Sequence, residues 1–345
     1  MAKETIFVSD IQLDLVDKTG MYKTYDSWPD LASNAFNNSI IGPDFKDIDH
    51  IVFAGMGGSG TIGDVFASIL SKSEIHVSII KGYRLPTVTN RNTLVVVTSV
   101  SGNTIETLTI LEQAFKKNCQ IIAFSSGGEI EIFCKKNNIY YYKLELKHSP
   151  RASFPIFFYG IAKTLMNTLN LDSKEILDSI EIMKELQKEI NSKNLSEKNP
   201  ALNLALEIRY TPIIYYPWGL KAAAIRFKNS IQENTKTHAF TEDIIEACHN
   251  GIVSWETLSN IKPILLQGIN DHEKTEERWQ LVKSFLKKNK INYEEIVSTN
   301  GNIITKLINL IYLLDYISIY KAIISKIDPT PVKSIDYIKN KLKSD

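Results

Sequence analysis

Residues 95–106 read Val-Val-Val-Thr-Ser-Val-Ser-Gly-Asn-Thr-Ile-Glu, an apolar run that breaks into hydroxyls where a helical pattern begins. A buried strand ending in Ser99, Ser101 and Thr104 sets side-chain donors beside the free N–H groups of the following helix. Exposed amides and the positive end of the helix dipole both favour negative charge there, so the junction suits a phosphate dianion. A similar junction lies upstream, where Ile51-Val52-Phe53-Ala54 runs into Gly55-Met56-Gly57-Gly58-Ser59-Gly60. Two such loops on neighbouring strands point to a site for a phosphorylated small molecule.

The glycine loop also has the spacing of a dinucleotide fingerprint, which expects an acidic residue at the end of the second strand to hold the ribose hydroxyls. Here that strand runs out as Ile79-Ile80-Lys81-Gly82, with no acid, and the loop lacks the lysine of a nucleotide P-loop. Ser59 places a hydroxyl among the glycines, as phosphate capture requires; the competing reading is a turn that serves only close strand–helix packing. The second loop has a bland reading too, a capping box from Asn103 to Glu106. One cap explains one hydroxyl or amide, not Ser99, Ser101 and Thr104 together.

The elements that must position these loops alternate along the first half. Apolar, β-branched runs predict strands at 50–55, 75–80, 93–98, 120–125 and 139–145, and helical spacing predicts helices over 60–72, 104–117 and 128–137. That alternation is the pattern of an α/β fold with a parallel sheet covered on both faces. Residues 153–170 form a further apolar helix, and 173–199, rich in Lys, Glu, Asn and Ser, read as a solvated helical connector. The second half repeats the theme, with strands at 212–217, 261–268 and 291–298 and helices running to about 234, over 272–289 and over 302–326. Pro329 and Pro331 precede a terminal helix, 332–343. The division implied is an N-terminal domain with its extension (1–170), a connector (171–199) and a C-terminal domain with the terminal helix (200–345), leaving a cleft between domains where small-molecule sites often lie.

Composition sets the outer bounds. The 345 residues carry 40 basic and 39 acidic side chains, so no long-range field draws the chain to nucleic acid or an anionic membrane. Cys119, Cys134 and Cys248 are widely spaced and fit a reducing compartment. The N-terminus has no signal-like apolar core, and no uninterrupted apolar run reaches membrane-spanning length. A cytoplasmic location is the expectation. The six histidines show no ligand-like clustering, which argues against a zinc enzyme.

Taken together, GMGGSG followed by TSVSGNTIET resembles the sugar isomerase (SIS) domain family, whose members bind phosphosugars. Gln232-Glu233-Asn234-Thr235-Lys236, then His249-Asn250-Gly251-Ile252-Val253-Ser254-Trp255-Glu256, then Asp328-Pro329-Thr330-Pro331-Val332 are similar to the bifunctional phosphoglucose/phosphomannose isomerases of archaeal type. The resemblance runs nearly the whole length of the chain and departs at Gly251 and Ser254, where Glu and Gly are expected. It implies two SIS-type domains, a homodimer with composite active sites, and no metal or organic cofactor. The implied reaction interconverts glucose 6-phosphate or mannose 6-phosphate with fructose 6-phosphate through ring opening and a cis-enediol.

Carried over motif by motif, the resemblance gives Ser59, Ser99, Ser101 and Thr104 the sugar phosphate. Glu233 becomes the base that moves a proton between C1 and C2, a task eased when burial brings a carboxylate toward neutrality. His249, supplied by the partner subunit, opens the ring, as a group titrating near neutrality can. Arg151 stabilises the enediolate. Lys339, with Lys341 and Lys343 close by, is the candidate assistant in ring opening. The alternatives in view are a phosphosugar-binding regulator and an amino-sugar-phosphate isomerase or deaminase. A regulator would keep the hydroxyl loops without needing Glu233 and His249, and would usually add a basic helix-turn-helix that residues 1–45 do not show.

Overall fold

β1 (His50–Ala54) and β3 (Thr93–Ser99) are buried at every position, with no alternation of apolar and polar residues. Strands of that kind have both faces covered, and here each face has its own helices. Ile51, Phe53, Leu94 and Val96 point into one core, while Val52, Ala54, Val95 and Val97 point into another. The computed structural model of the chain describes residues 8–257 and 259–342.

The first sheet has the order β2-β1-β3-β4-β5, with β2 His76–Ile80, β4 Gln120–Ser125 and β5 Tyr140–Lys143, all parallel. The second has the order β7-β6-β8-β9, also parallel, from β6 Thr211–Tyr216, β7 Phe240–Asp243, β8 Ile261–Gln267 and β9 Glu294–Val297. Each expected strand is present within a few residues; β7, only four residues long and reading Phe-Thr-Glu-Asp, was not among them. Three short helices also precede β1: α1 (Asp10–Val16), α2 (Met21–Asp26) and α3 (Trp28–Phe36).

The other helices, in chain order, are α4 (Gly57–Ile69), α5 (Ile105–Lys116), α6 (Gly128–Lys136), α7 (Phe154–Leu165), α8 (Ser173–Ile190), α9 (Pro200–Glu207), α10 (Lys221–Thr235), α11 (Ile244–Ala247), α12 (Glu273–Lys288), α13 (Ile303–Ile324) and α14 (Lys333–Leu342). Helices α5 and α6 cover the outer face of the first sheet, and α12 covers the outer face of the second. Between the sheets lies one continuous apolar core, shared by α3, α4, α7, α8, α10 and α13. Helix α8 lies in the segment read as a solvated connector, yet its Ile176, Ile180, Met183 and Ile190 are buried, and it packs against α13.

Helix α13 is long and apolar enough to cross a membrane, the one such helix among the described residues, but most of it is buried inside the protein. A helix apolar all round is what the centre of a layered core requires. Its one buried acid, Asp315, accepts hydrogen bonds from Arg226 Nη2 at 2.6 Å and Nε at 3.0 Å and from Ser230 Oγ at 2.6 Å. Arg226 in turn stacks over the Phe154 ring at 4.2 Å. The α1–α3 segment is fixed to the same layer by aromatic packing: Trp28 stacks on Tyr25 and on Tyr312 of α13.

This buried pair generates a test. Asp315→Ala leaves the Arg226 charge without its partner in the core and is expected to cost about 3–5 kcal/mol of stability. Ser230→Ala removes one hydrogen bond to the same carboxylate and costs on the order of 1–3 kcal/mol. Urea unfolding midpoints of the two variants against the parent chain check both the order and the size.

Candidate active site

In the first sheet the winding reverses at β1 and β3, with β2 on one side of β1 and β3 on the other, so the loops leaving the carboxyl ends of these parallel strands diverge and open a crevice. Such a switch point is where ligands bind in open α/β sheets. The two loops picked out by composition, 55–60 and 99–104, are those loops.

The glycine loop divides its labour. A Cβ at Gly55 would fall 2.8 Å from Thr98 O, and one at Gly60 would fall 2.7 Å from Gly55 O, so these two glycines serve close packing. Gly57, at φ +52°, faces open space, whereas a Cβ at Gly58 would lie in van der Waals contact with the Arg151 Cα at 3.7 Å. Packing and ligand access are therefore both served, at different positions of one loop. Met56 is the N-cap of α4 and Thr104 that of α5, and neither helix has a side-chain cap, so their first N–H groups remain open toward the crevice.

The hydroxyls tie the loops together. Ser59 Oγ accepts from the Val100 N–H at 3.2 Å, Ser99 Oγ lies 2.9 Å from Thr104 Oγ1, and Ser99 Oγ also accepts from the Gly102 N–H at 3.2 Å. Ser59 and Ser99 are buried, whereas Ser101 sits at the exposed rim, accepting from the Asn103 N–H at 3.3 Å. The Asn103 side chain turns away to accept from the Glu129 N–H at 3.0 Å, so the alternative capping box with Glu106 is not formed.

Arg151, on the turn before α7, is buried beside this crevice and fully engaged. Its Nε donates to Asn234 Oδ1 at 2.7 Å, Nη1 to Glu233 Oε2 at 3.1 Å, and Nη2 to the carbonyls of Pro329 at 2.6 Å and Thr330 at 3.2 Å. Glu233, in the last turn of α10, is partly exposed, and its other carboxylate oxygen has no hydrogen-bond partner among the described residues. Lys236 ends α10 in the left-handed conformation and donates to the carbonyls of Glu233 at 2.5 Å and Pro329 at 3.0 Å. The result is a carboxylate held by a fixed guanidinium, in the same region as two helix N-termini that lack side-chain caps.

Comparison with known proteins narrows the class. Residues 44–148 match the SIS domain, and residues 197–342 match the bacterial phospho-glucose isomerase C-terminal SIS domain. The chain is 30% identical over 334 residues to a bifunctional phosphoglucose/phosphomannose isomerase of Caldicellulosiruptor bescii, covering 93% of this chain and 98% of that one. This chain belongs to the bifunctional phosphoglucose/phosphomannose isomerase family of the SIS superfamily. A second member, from Aquifex aeolicus, is 29% identical over 90% of this chain and 95% of its own. Among solved structures, the C-terminal domain of glucosamine-fructose-6-phosphate aminotransferase from Francisella tularensis superposes with a TM-score of 0.67 at 18% identity, covering 90% of this chain and 98% of that one. At that identity the likeness establishes the fold alone, two parallel sheets flanked by helices.

Within this family frame, the structure gathers Ser59, Ser99, Thr104, Arg151 and Glu233 in one region of one chain, with Ser101 at its rim. No hydrogen bond or ion pair joins His249 or Lys339 to them among the described residues. His249 is exposed just beyond α11, which follows the carboxyl end of β7. Helix α10 starts at the carboxyl end of β6 and runs back for roughly 20 Å, so Glu233 lies toward the opposite edge of that parallel sheet. Lys339 is exposed on α14, a helix with no buried residue. At Gly251 a Cβ would fall 2.4 Å from the Glu242 carboxylate, so a larger side chain there requires Glu242 to swing aside.

Several residues of the site had no role in the sequence reading. Asn234, Lys236, Pro329 and Thr330 lie inside segments quoted for the family resemblance, and that was their only signal. Thr19 gave none; its Oγ1 bridges His148 Nε2 at 2.8 Å and Thr330 Oγ1 at 2.7 Å. Burial, and then the Arg151 charge, push the Lys236 ammonium down to about 8, against the opposing pull of Asp328 and Glu233.

That displacement has a measurable sign. Folded Lys236 gives up its proton near pH 8, and the unfolded chain does so at the ordinary value of 10.5. Between those values the unfolded state binds more protons, so this group makes stability rise with pH across the window. Lys236→Met is expected to flatten that rise, read as a smaller gain in urea midpoint between about pH 8 and about pH 10 than the parent chain shows.

Proposed function

We propose that the protein interconverts glucose 6-phosphate and mannose 6-phosphate with fructose 6-phosphate by aldose–ketose isomerisation. The observation that carries this reading is the Glu233 carboxylate, one oxygen held 3.1 Å from the Arg151 guanidinium and the other free, with Arg151 beside the glycine loop. The names of the curated relatives support the substrate class.

The sugar phosphate sits on the open N–H groups of α4 and α5 with Ser59, Ser99, Ser101 and Thr104 around it, where amides and helix dipoles both favour a dianion. In the open-chain aldose, Glu233 removes the C2 proton. The C2–H electron pair forms the C1–C2 double bond, and the carbonyl oxygen takes up charge as the cis-enediolate forms. Arg151, already fixed by Asn234 and two carbonyls, faces that charge without reorganising, the condition under which such stabilisation is largest. Protonated Glu233 returns that proton to C1 while the C2 hydroxyl proton passes to the C1 oxygen, so C2 becomes the ketone carbonyl and C1 a CH2OH group.

Ring opening is assigned to His249 of a second copy of the chain, assisted by Lys339. The exposure of His249 supports its part in this assignment, since a side chain that serves a neighbouring copy must reach the surface. The functional unit is then a homodimer with composite sites.

Fructose 6-phosphate supplied to the purified protein, in buffer with and without chelator, is expected to give glucose 6-phosphate and mannose 6-phosphate at rates the chelator does not change. Glu233→Gln should lower kcat by about 10²–10⁴-fold and stop exchange of the C2 proton with solvent, while phosphosugar binding survives. Unchanged turnover in that variant removes Glu233 from the mechanism.

Composite sites make their own demand. Mixing inactive Glu233→Gln and His249→Ala chains under exchange conditions should restore activity, because some mixed dimers hold one intact site. Mixed dimers that form and stay inactive overturn the composite site.

A further inference from the structure

On the far side of the α10 terminus from Arg151 lies a cavity of about 390 Å³. Its walls come from the chain entering β6, from Ile231 and Thr235 of α10, and from Lys321 and Ser325 at the end of α13. Arg209 and Lys321 both line it, and no acidic side chain does. Neither cation has an ion-pair or side-chain hydrogen-bond partner among the described residues. Lys321 is half-buried, and burial, followed by the neighbouring Arg209 charge, holds its ammonium below the ordinary lysine value. Thr211, Thr237, Ser325 and Asn260 add neutral donors around the two charges.

Cations commonly gather at helix carboxyl ends to meet free carbonyls, and two helices end here. Several of those carbonyls are served by other groups. Lys236 holds the Glu233 carbonyl of α10, and the N–H groups of Ser325, Ile327 and Lys326 take the carbonyls of Lys321, Ala322 and Ile323. Neither the Arg209 nor the Lys321 side chain donates to a carbonyl among the described residues, so neither serves as a helix cap. Two like charges facing one polar cavity repel each other unless an anion joins them.

We propose that this cavity is a second anion site, separate from the hydroxyl loops, and that it takes a phosphate dianion between Arg209 and Lys321. The dianion is inorganic phosphate or the phosphate of a small ester, whose organic part would lie along Ile208, Pro212 and Ile231. Thr235 lines this cavity two residues beyond Glu233, so a bound ligand presses on the turn that carries the carboxylate.

Acetylation of Lys321 by an amine-reactive ester, followed by peptide mass spectrometry and normalised to exposed Lys116, reads the site directly and without any activity measurement. Inorganic phosphate, compared with chloride at equal ionic strength, should slow Lys321 acetylation saturably, by about threefold at twice the half-saturating concentration. Glycerol 3-phosphate is the second probe: tighter protection than phosphate assigns the site to an ester, and equal or weaker protection to inorganic phosphate. Arg209→Met, at an exposed position, should raise the half-saturating concentration about tenfold, the loss of one charge-assisted contact. Thr104→Val should weaken phosphate binding at the hydroxyl loops and leave protection of Lys321 unchanged. Equal acetylation rates in phosphate and chloride, protection indifferent to Arg209→Met, or protection lost in Thr104→Val would each overturn the second site.

Discussion

A buried guanidinium is costly unless every face of it is answered, and Arg151 is answered from two distant parts of the chain. Asn234 and Glu233 come from the end of α10, and the Pro329 and Thr330 carbonyls come from the segment between α13 and α14. Beneath it, Arg226 donates to the Arg151 carbonyl at 2.8 Å while paired to Asp315 in the core. Satisfying these two charges fixes α10, α13 and the turn before α7 relative to one another. The position of Glu233 is a consequence of that requirement: it cannot leave Arg151 without depriving a buried cation of its counter-charge. Its remaining oxygen is then the part of the assembly free to meet a substrate.

The shared helical layer explains why such a site tolerates being built from both halves of the chain. Helices α4 and α7 belong with the first sheet and α10 and α13 with the second, yet all four enter one apolar core. Helix α4 presents its N-terminus to the crevice and packs along α10, whose carboxyl end carries Glu233. The α4 N-terminus and the Glu233 carboxylate are thus set relative to each other by helix packing rather than by a loop. The same layer absorbs the apolar stripe of α8, so the segment between the halves stiffens the arrangement instead of serving as a tether.

Legibility in the sequence followed how local each cause was. The strands of the first half could be read because doubly covered parallel strands are continuous apolar runs, and the two crevice loops because glycine and hydroxyl residues mark them. The α1–α3 segment could not be read, because its helices are short and held by stacking of Tyr25 and Trp28 on α13, a contact formed almost the whole chain away. Strand β7, with Thr-Glu-Asp at its core, carries no apolar period and exists because β6 offers it an edge. Arg151 and Glu233 stood out only through motif resemblance. Nothing in the spacing of residues 151, 226, 234 and 330 indicates that they meet, since each contact is made by chain topology.

The end of α10 shows how one helical turn can serve two surfaces. Ile231 and Thr235, four residues apart, share a face and are joined by a hydrogen bond from Thr235 Oγ1 to the Ile231 carbonyl at 2.7 Å. They look toward Arg209 and Lys321, whereas Glu233 and Asn234 look toward Arg151. Lys236 closes the turn with a left-handed residue and an ammonium on the Glu233 carbonyl, leaving no slack in the backbone between the two faces. A turn so tied moves as a unit. The peptide groups that carry Thr235 on one face are therefore those that hold the Glu233 carboxylate against its arginine on the other.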